Sequence, residues 1–435
     1  MKLKALLVGG GAREHAIAKR LSESSELSVA MKHKNPGIAR IAKSILLESE
    51  TNVDSVVAFA LKEKADFAVV GLEAPLEKGL ANVLEAKGIP CVGASQKAAL
   101  LETNKLFCRQ FMRDNGIDCI PDFFVFDEAG EAQEFLRGME KAVVKPVGLT
   151  GGKGVKVMGE QVSKQEALDY AKALVEKDGT VLIEDFLEGE EFSLQAFVSG
   201  DAVVEMPLAQ DHKRAFEGDQ GPNTGGMGSY SDANHLLPFV TLEEKNQALN
   251  AMRQTVKALK KSGVEYKGVL YGQFMLTKHG PKLVEYNARF GDPEAMNVLP
   301  LLEGDFTRLC WKMIDGKLSP GDAVFENKAT VVKYAVPEGY PDHPAKGAEI
   351  TVDESKINSL GGQVFYAIVS EENGRLLMGG SRAVAILGKG DSIAEAEGVA
   401  QKAIETVKGK IFYRKDIGTN ALVQKRIEHM RGIRG

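Results

Sequence analysis

A chain of 435 residues with 44% apolar and 26% charged side chains has the composition of a folded, water-facing protein of roughly two to four domains. Its net charge of −5 excludes a general attraction to nucleic acid, and no apolar run approaches the length of about 18 residues that a membrane span needs. The cysteines Cys91, Cys108, Cys119 and Cys310 lack metal-ligand spacing and read as reduced thiols of a cytoplasmic protein.

Residues 3–8 (Leu-Lys-Ala-Leu-Leu-Val) read as a buried strand that ends at Gly9-Gly10-Gly11 and gives way to a helix over residues 13–21. Residues 56–61 lead into the apolar run 67–70, closed by Gly71, and residues 89–92 form a short strand before Gly93. Strands alternating with helices make a parallel sheet, so residues 1–103 are expected to form a Rossmann-like domain. From residue 142 the pattern changes. Residues 142–147 and 155–158 flank a glycine-rich loop as a hairpin, and residues 180–183 and 192–198 add strands. A second hairpin joins 268–277 to 282–287 through Lys278-His279-Gly280-Pro281. The middle of the chain is thus α+β with antiparallel sheets. Strands at 329–336 and 382–387 and a helical stretch at 393–407 make a last, small mixed α/β domain over 325–435.

Two loops suit phosphate. Gly9-Gly10-Gly11-Ala12-Arg13-Glu14-His15 follows a strand and opens a helix, where backbone N–H groups and the helix dipole meet anions. A dinucleotide fingerprint needs glycine at position 14, and Glu14 stands there, which argues against hydride transfer. Alone, the loop fits an anion site and a plain tight turn equally well. The second loop runs Lys145-Pro146-Val147-Gly148-Leu149-Thr150-Gly151-Gly152-Lys153-Gly154. Three residues separate Gly148 from Gly152, and glycine follows Lys153, so it is no Walker A loop. Its glycines and the charges of Lys145 and Lys153 suit phosphate; the alternative is a solvated hairpin.

At the end of the second hairpin, Glu285 and Asn287 share a strand face, and Gln273 lies nearly opposite. A carboxylate and amide oxygens are hard ligands suited to magnesium, or, in the plainer reading, a polar strand edge. Arg289-Phe290-Gly291-Asp292-Pro293-Glu294 follows at once and concentrates further polar groups at that end.

Taken in order, several stretches resemble the glycinamide ribonucleotide synthetase (phosphoribosylamine–glycine ligase) family of the ATP-grasp superfamily. They are residues 9–15, Val70-Gly71-Leu72-Glu73-Ala74-Pro75-Leu76, 148–155, 184–193 and Gln210-Asp211-His212-Lys213-Arg214. After them come Gly221-Pro222-Asn223-Thr224-Gly225-Gly226-Met227-Gly228, 289–294 and Arg414-Lys415-Asp416-Ile417-Gly418. The resemblance implies an ATP-grasp fold: a substrate-binding Rossmann-like domain (1–103), an ATP-grasp domain (104–324, with a lid at about 122–188) and the C-terminal domain (325–435). It also implies ligation of glycine to 5-phosphoribosylamine with ATP and Mg2+ or Mn2+, through a glycyl phosphate, in purine synthesis. The setting implied is a cytoplasmic monomer or weak homodimer, without nucleic-acid or membrane partners.

Carried over residue by residue, Lys105, Lys145, Gly151, Gly152 and Lys153 would hold ATP phosphates. Glu184, Phe186 and Leu187 would meet adenine, and Glu191 the ribose. Gly10, Gly11, Arg13 and Glu73 would meet phosphoribosylamine. Asp211, Lys213, Asn223, Thr224, Gly225, Arg289, Gly291 and Asp292 would complete the acceptor side. Gln273, Glu285 and Asn287 would hold the metal. Arg289, Asp292, Asp211 and Lys153 would carry the catalytic work. The chain departs from the family at Pro146-Val147, where Ala-Asp is common, at Asn35-Pro36-Gly37-Ile38, a variant of A-P-G-N, and at Gln273, where bacterial members carry a small residue. Rival readings are an ATP-grasp carboxylase, a non-catalytic nucleotide-binding module and a Rossmann oxidoreductase. The first would lack G-P-N-T-G-G-M-G, and the second could dispense with Glu285 and Asn287.

Overall fold

The apolar run Leu3–Val8 becomes the middle strand of a five-stranded parallel sheet in the computed structural model, which describes residues 2–150 and 154–435. Its order is Ser44–Leu47, Ser25–Met31, Leu3–Val8, Phe67–Val70, Cys91–Val92. Strand order reverses on either side of Leu3–Val8, so a crevice opens at the carboxyl ends of Leu3–Val8 and Phe67–Val70, where open α/β sheets bind ligands. The loops at Gly9–Gly11 and Gly71–Glu73 occupy that crevice. Helix Ala12–Ser22 starts there, with the Glu14 side chain folded back so that the Gly11 amide donates to its Oε2 at 2.7 Å.

A second, all-antiparallel sheet has the order Phe123–Phe126, Val181–Asp185, Ala142–Lys145, Lys156–Met158. Its expected hairpin is present, with Ala142 opposite Met158. Helices Ala129–Arg137 and Lys164–Asp178 cover one face and bury Ala132, Leu136, Leu168 and Ala171 against Val144 and Ile183, a core separate from that of the rest of the molecule. The third sheet, Ala202–Glu205, Glu190–Ser199, Lys267–Thr277, Gly280–Asn287, is also antiparallel and is backed by helix Leu242–Lys261. Gln273 pairs in register with Glu285, and the ladder slips by one residue just beyond, where Phe274 pairs with Leu283.

The C-terminal sheet borrows strands from the middle of the chain. Gln210–Asp211 and Gly228–Ser231 line up beside Ala329–Pro337, followed by Val384–Gly390 and Gln363–Tyr366. Helix Ile393–Ile404 packs across it and ends three residues before the helical stretch expected from sequence. The last helix, Asn420–Arg434, returns to the third sheet, where His429 Nδ1 lies 2.6 Å from Glu190 Oε1. Among the described residues no helix is long and apolar enough to cross a membrane.

Candidate active site

A cavity of about 550 Å3 lies where the three sheets and the C-terminal domain converge. At its Rossmann end stand Gly10, Gly11, Arg13 and Glu73. Arg13 Nε donates to Glu14 Oε1 at 2.6 Å, and its Nη1 donates to the Phe290 carbonyl at 3.1 Å. The buried Glu14 carboxylate fills the space beneath the loop. A Cβ at Gly9, whose φ is +127°, would come within 2.5 Å of Glu14 Cγ, and one at Gly71 within 2.6 Å of its Oε1. Glu14 therefore takes the room that a third fingerprint glycine leaves open in dinucleotide sites. Burial raises its pKa, against the pull of Arg13. Asn35 ties this loop to the C-terminal domain: its Nδ2 donates to the Gly10 carbonyl at 2.9 Å and to the Tyr366 carbonyl at 2.6 Å. The variant Asn-Pro-Gly-Ile thus acts as a clasp.

At the opposite end, Lys105, Lys145 and residues 184–187 line the cavity. Glu184 is fully enclosed. Lys145 Nζ donates to its Oε2 at 2.6 Å, and Arg109 donates to both oxygens, at 2.7 and 3.2 Å. Burial pushes the Glu184 pKa up, but Arg109 and Lys145 outweigh it and hold the carboxyl below its usual range. Lys105 Nζ donates to the Gly148 carbonyl at 2.9 Å, so the start of the glycine loop already lies against a phosphate-binding candidate. Gly151, Gly152 and Lys153 lie outside the described residues. Glu191 Oε2 accepts from Lys213 Nζ and from Gln273 Nε2, each at 2.8 Å.

Glu285 faces the cavity with no hydrogen bond or ion pair to its carboxylate among the described residues. Burial raises its pKa, but Lys213, Lys105, Lys145 and Arg289 outweigh it and keep the group ionised. Asn287, two residues on, faces the same cavity, and its Oδ1 accepts from Arg289 Nη2 at 2.9 Å. An open carboxylate beside an amide oxygen is a donor set that fits a hard divalent cation. Among the described residues, no three His, Cys, Asp or Glu side chains group at ligand spacing, so phosphate oxygens would have to complete the shell. Gln273 is not brought into this set. Its Oε1 lies against the Tyr271 hydroxyl, its Nε2 is given to Glu191, and it does not line the cavity.

Between the two ends sits Arg289. Its Nε donates to Glu73 Oε2 at 3.2 Å and its Nη1 to the Phe290 carbonyl at 3.1 Å, while Nη2 forms an ion pair with Glu102 Oε1 at 2.9 Å. Burial pushes the Glu102 carboxyl up to about 7. Asp292 Oδ1 accepts from the Tyr334 hydroxyl at 2.6 Å and pairs with Arg382 at 3.2 Å. Arg382 also donates to the Gly226 carbonyl at 3.0 Å, while its guanidinium stacks 4.4 Å from the Tyr334 ring centre. Asn223, Thr224 and Gly225 line the cavity beside it, and Thr224 Oγ1 donates to the Lys213 carbonyl at 2.8 Å. Gly226 has φ +104°, and a Cβ there would meet Asp211 Oδ1 at 2.6 Å. Gly291 lies behind the lining: its amide donates to Gln195 Oε1 at 2.8 Å, and Glu294 Oε2 stands 2.3 Å from where its Cβ would be. Arg109, Glu102, Arg382 and Tyr271 take part without having been singled out from sequence. Glu294 is marked in the sequence only as the last letter of the 289–294 motif.

Two antiparallel sheets that close on one cavity, with lysines on one wall and a Glu-Tyr-Asn strand end on the other, define an ATP-grasp enzyme. A biotin carboxylase domain of the 2-oxoglutarate carboxylase from Hydrogenobacter thermophilus shares this fold, with a TM-score of 0.72 at 15% identity over 99% of this chain and 94% of that one. Family assignment comes from sequence. Phosphoribosylglycinamide synthetase N, ATP-grasp (A) and C domains match residues 3–102, 103–295 and 330–420, and the chain belongs to that family. It is similar to the phosphoribosylamine–glycine ligase of Pyrococcus furiosus, 54% identical over 436 residues that span 100% of this chain and 98% of the relative. The Methanocaldococcus jannaschii ligase is 52% identical over 99% of this chain and 100% of its own. A solved phosphoribosylamine–glycine ligase from Thermotoga maritima superposes with a TM-score of 0.80 at 29% identity, covering 95% of this chain and 100% of that one.

Proposed function

We propose that the chain joins glycine to 5-phosphoribosylamine with ATP, giving glycinamide ribonucleotide, ADP and phosphate. The observation that carries this reading is one continuous cavity. It runs from the Rossmann loop at Gly10 and Gly11, past Arg289 and Asp211, to Lys105, Lys145 and Glu285. An anion site, a zwitterion site and a triphosphate site in one line are what a three-substrate ligation needs. A carboxylate is a poor electrophile toward an amine. Transfer of the γ-phosphoryl group to glycine gives a glycyl phosphate, which the amine of phosphoribosylamine attacks, releasing phosphate.

Phosphoryl transfer asks for positioning and charge neutralisation, not for a protein nucleophile. Lys105 and Lys145 supply positive charge at the phosphates, with Gly151, Gly152 and Lys153 assigned there by the family resemblance. Glu285 and Asn287 would hold Mg2+ or Mn2+, which neutralises phosphate charge during transfer. Phe186 and Leu187 frame the adenine, and Glu191 accepts from the ribose. Arg289 faces the glycine carboxylate, and Asp211 faces its ammonium. Gly10, Gly11, Arg13 and Glu73 receive phosphoribosylamine. Thr224 holds Asn223 and Gly225 in place beside Lys213, and Asp292 braces Arg382 against the same wall. The test is ADP release by the purified chain with freshly generated phosphoribosylamine. Release should require glycine and phosphoribosylamine together. Turnover with bicarbonate in place of glycine would instead favour an ATP-grasp carboxylase.

A further inference from the structure

The motif Arg414-Lys415-Asp416-Ile417-Gly418 carries part of the family resemblance, yet none of its residues lines the cavity. Its side chains, with those of the last helix, meet the cavity wall from behind. Successive side chains of a strand point to opposite faces. Glu191, Asp211 and Lys213 line the cavity, while their neighbours Glu190, Gln210 and His212 do not and are buried behind it. Gln210 joins the two segments there: its Nε2 donates to the Glu191 carbonyl at 3.0 Å and to Glu190 Oε2 at 3.3 Å. Glu190 Oε1 lies 2.6 Å from His429 Nδ1, and its Oε2 pairs with Arg426 Nε at 3.4 Å. Arg426 Nη2 donates to Asp219 Oδ2, at the tip of the hairpin formed by Arg214–Phe216 and Gln220–Asn223. Arg414 Nη2 pairs with Asp219 Oδ1 at 3.0 Å, its Nη1 donates to the Arg214 carbonyl at 3.1 Å, and Asp416 Oδ2 accepts from the Gly218 amide at 3.0 Å. The base of that hairpin carries Lys213 on one side and Asn223 on the other, both in the cavity wall.

We infer that Arg426 is a positioning residue: by bridging Glu190 to Asp219 it holds, from the rear of their strands, the side chains of Glu191, Asp211 and Lys213 where ATP ribose and glycine meet them. A planar guanidinium suits this post, because its fork reaches two carboxylates at once. Its side chain is 13% exposed and that of Glu190 6%, so solvent screens the pair little. Burial pushes the Asp219 carboxyl up, but the cations around it, Arg426 foremost, outweigh burial and hold it at about 2. This deepens the ligase reading above and rests on it for the roles of Glu191 and Asp211. It gives the C-terminal segment, which touches no substrate, a part in binding two of them.

A wall that slips changes affinity, whereas a chain that merely folds less well changes the amount of active protein. Arg426→Met in the full-length chain should weaken binding of a fluorescent ATP analogue with Mg2+ about tenfold, the size of one lost hydrogen bond to a charged group. In turnover, its KM for ATP and for glycine should rise by a similar factor. Its KM for phosphoribosylamine, bound at the Rossmann end, should stay near the wild-type value. A loss confined to kcat with all three KM values unchanged, or an equal rise in all three, would overturn the inference, as would wild-type affinity for the ATP analogue. His429→Ala removes a second contact of Glu190 from a side chain 44% exposed, so it takes little from the fold. It should shift the ATP and glycine constants in the same direction by a smaller factor; unchanged constants overturn the inference even where Arg426→Met does not fold. The nucleotide titration needs no turnover. A wild-type chain that releases no ADP with glycine and phosphoribosylamine would remove the ligase reading and leave that titration standing.

Discussion

At Glu184 one enclosed carboxylate answers two enclosed cations, Arg109 and Lys145. Removing one partner from such a group leaves charge stranded in low dielectric, at about 3–5 kcal/mol. Glu184→Gln should therefore lower unfolding free energy by about that amount in urea titrations. Glu285 presents the opposite case. Among the described residues it has no hydrogen-bond or ion-pair partner to lose, so Glu285→Ala should keep its melting temperature close to wild type. Its turnover at saturating magnesium should fall by about two to three orders of magnitude, the scale seen when a preorganised electrostatic group is deleted. Near-normal turnover would exclude it as an essential ligand. Such residues differ in how visible they are in sequence. Glu285 and Asn287 stand two apart on one strand and can be paired on paper. Arg109 reaches Glu184 across 75 positions and Arg382 reaches Asp292 across 90, and no local spacing marks either.

The four-stranded sheet with its two helices is a body with its own core, so its motion relative to the rest breaks few apolar contacts. ATP bridging Lys145 on this sheet and Glu285 on the other should slow amide exchange in Ala142–Lys145 and Lys156–Met158, read by hydrogen exchange with a non-hydrolysable ATP analogue. Equal exchange with and without nucleotide would deny the sheet a closing role. This sheet was legible because its hairpin is apolar on both sides of a glycine loop. Strand Ser25–Met31 was not, since Ser25, Glu26 and Ser28 dilute its apolar pattern and its burial comes from neighbours in the sheet. Helices Lys164–Asp178 and Leu242–Lys261 also escaped notice, though each announces its start: Ser163 with Glu166, and Thr241 with Glu244, form capping boxes that the sequence carries openly.

For the whole molecule, two enclosed histidines tie stability to pH. His15 accepts from the Tyr366 amide through Nδ1 at 3.0 Å, and both ring nitrogens of His212 lack a partner among the described residues. Burial lowers both pKa values from 6.5 to about 3, helped by Lys19 and Arg40 at His15 and by Arg426 and Arg414 at His212. The unfolded chain therefore binds protons that the folded one refuses once the pH drops below the ordinary histidine value. Stability is complete above that value and declines as the pH falls toward about 3. At about pH 5 each histidine withdraws about 2 kcal/mol. His212→Phe should flatten the fall in melting temperature between about pH 7 and pH 5; an unchanged slope would deny His212 this part.

The C-terminal sheet adds a constraint of timing. Gly228–Ser231 has its ladder partner in Ala329–Pro337, so during synthesis the segment from Gln210 to Ser231, with Asp211 and Lys213 in it, leaves the ribosome well before the strand that completes it. Until then it is an unpaired edge, the kind of surface that invites wrong pairing. Nascent chains arrested just short of Ala329 should be cleaved readily between residues 205 and 232 by a mild protease, and chains released after Gly390 should resist. The cavity wall that carries Asp211 and Lys213 is therefore completed only when a strand about a hundred residues downstream arrives, whatever order its letters have in the gene.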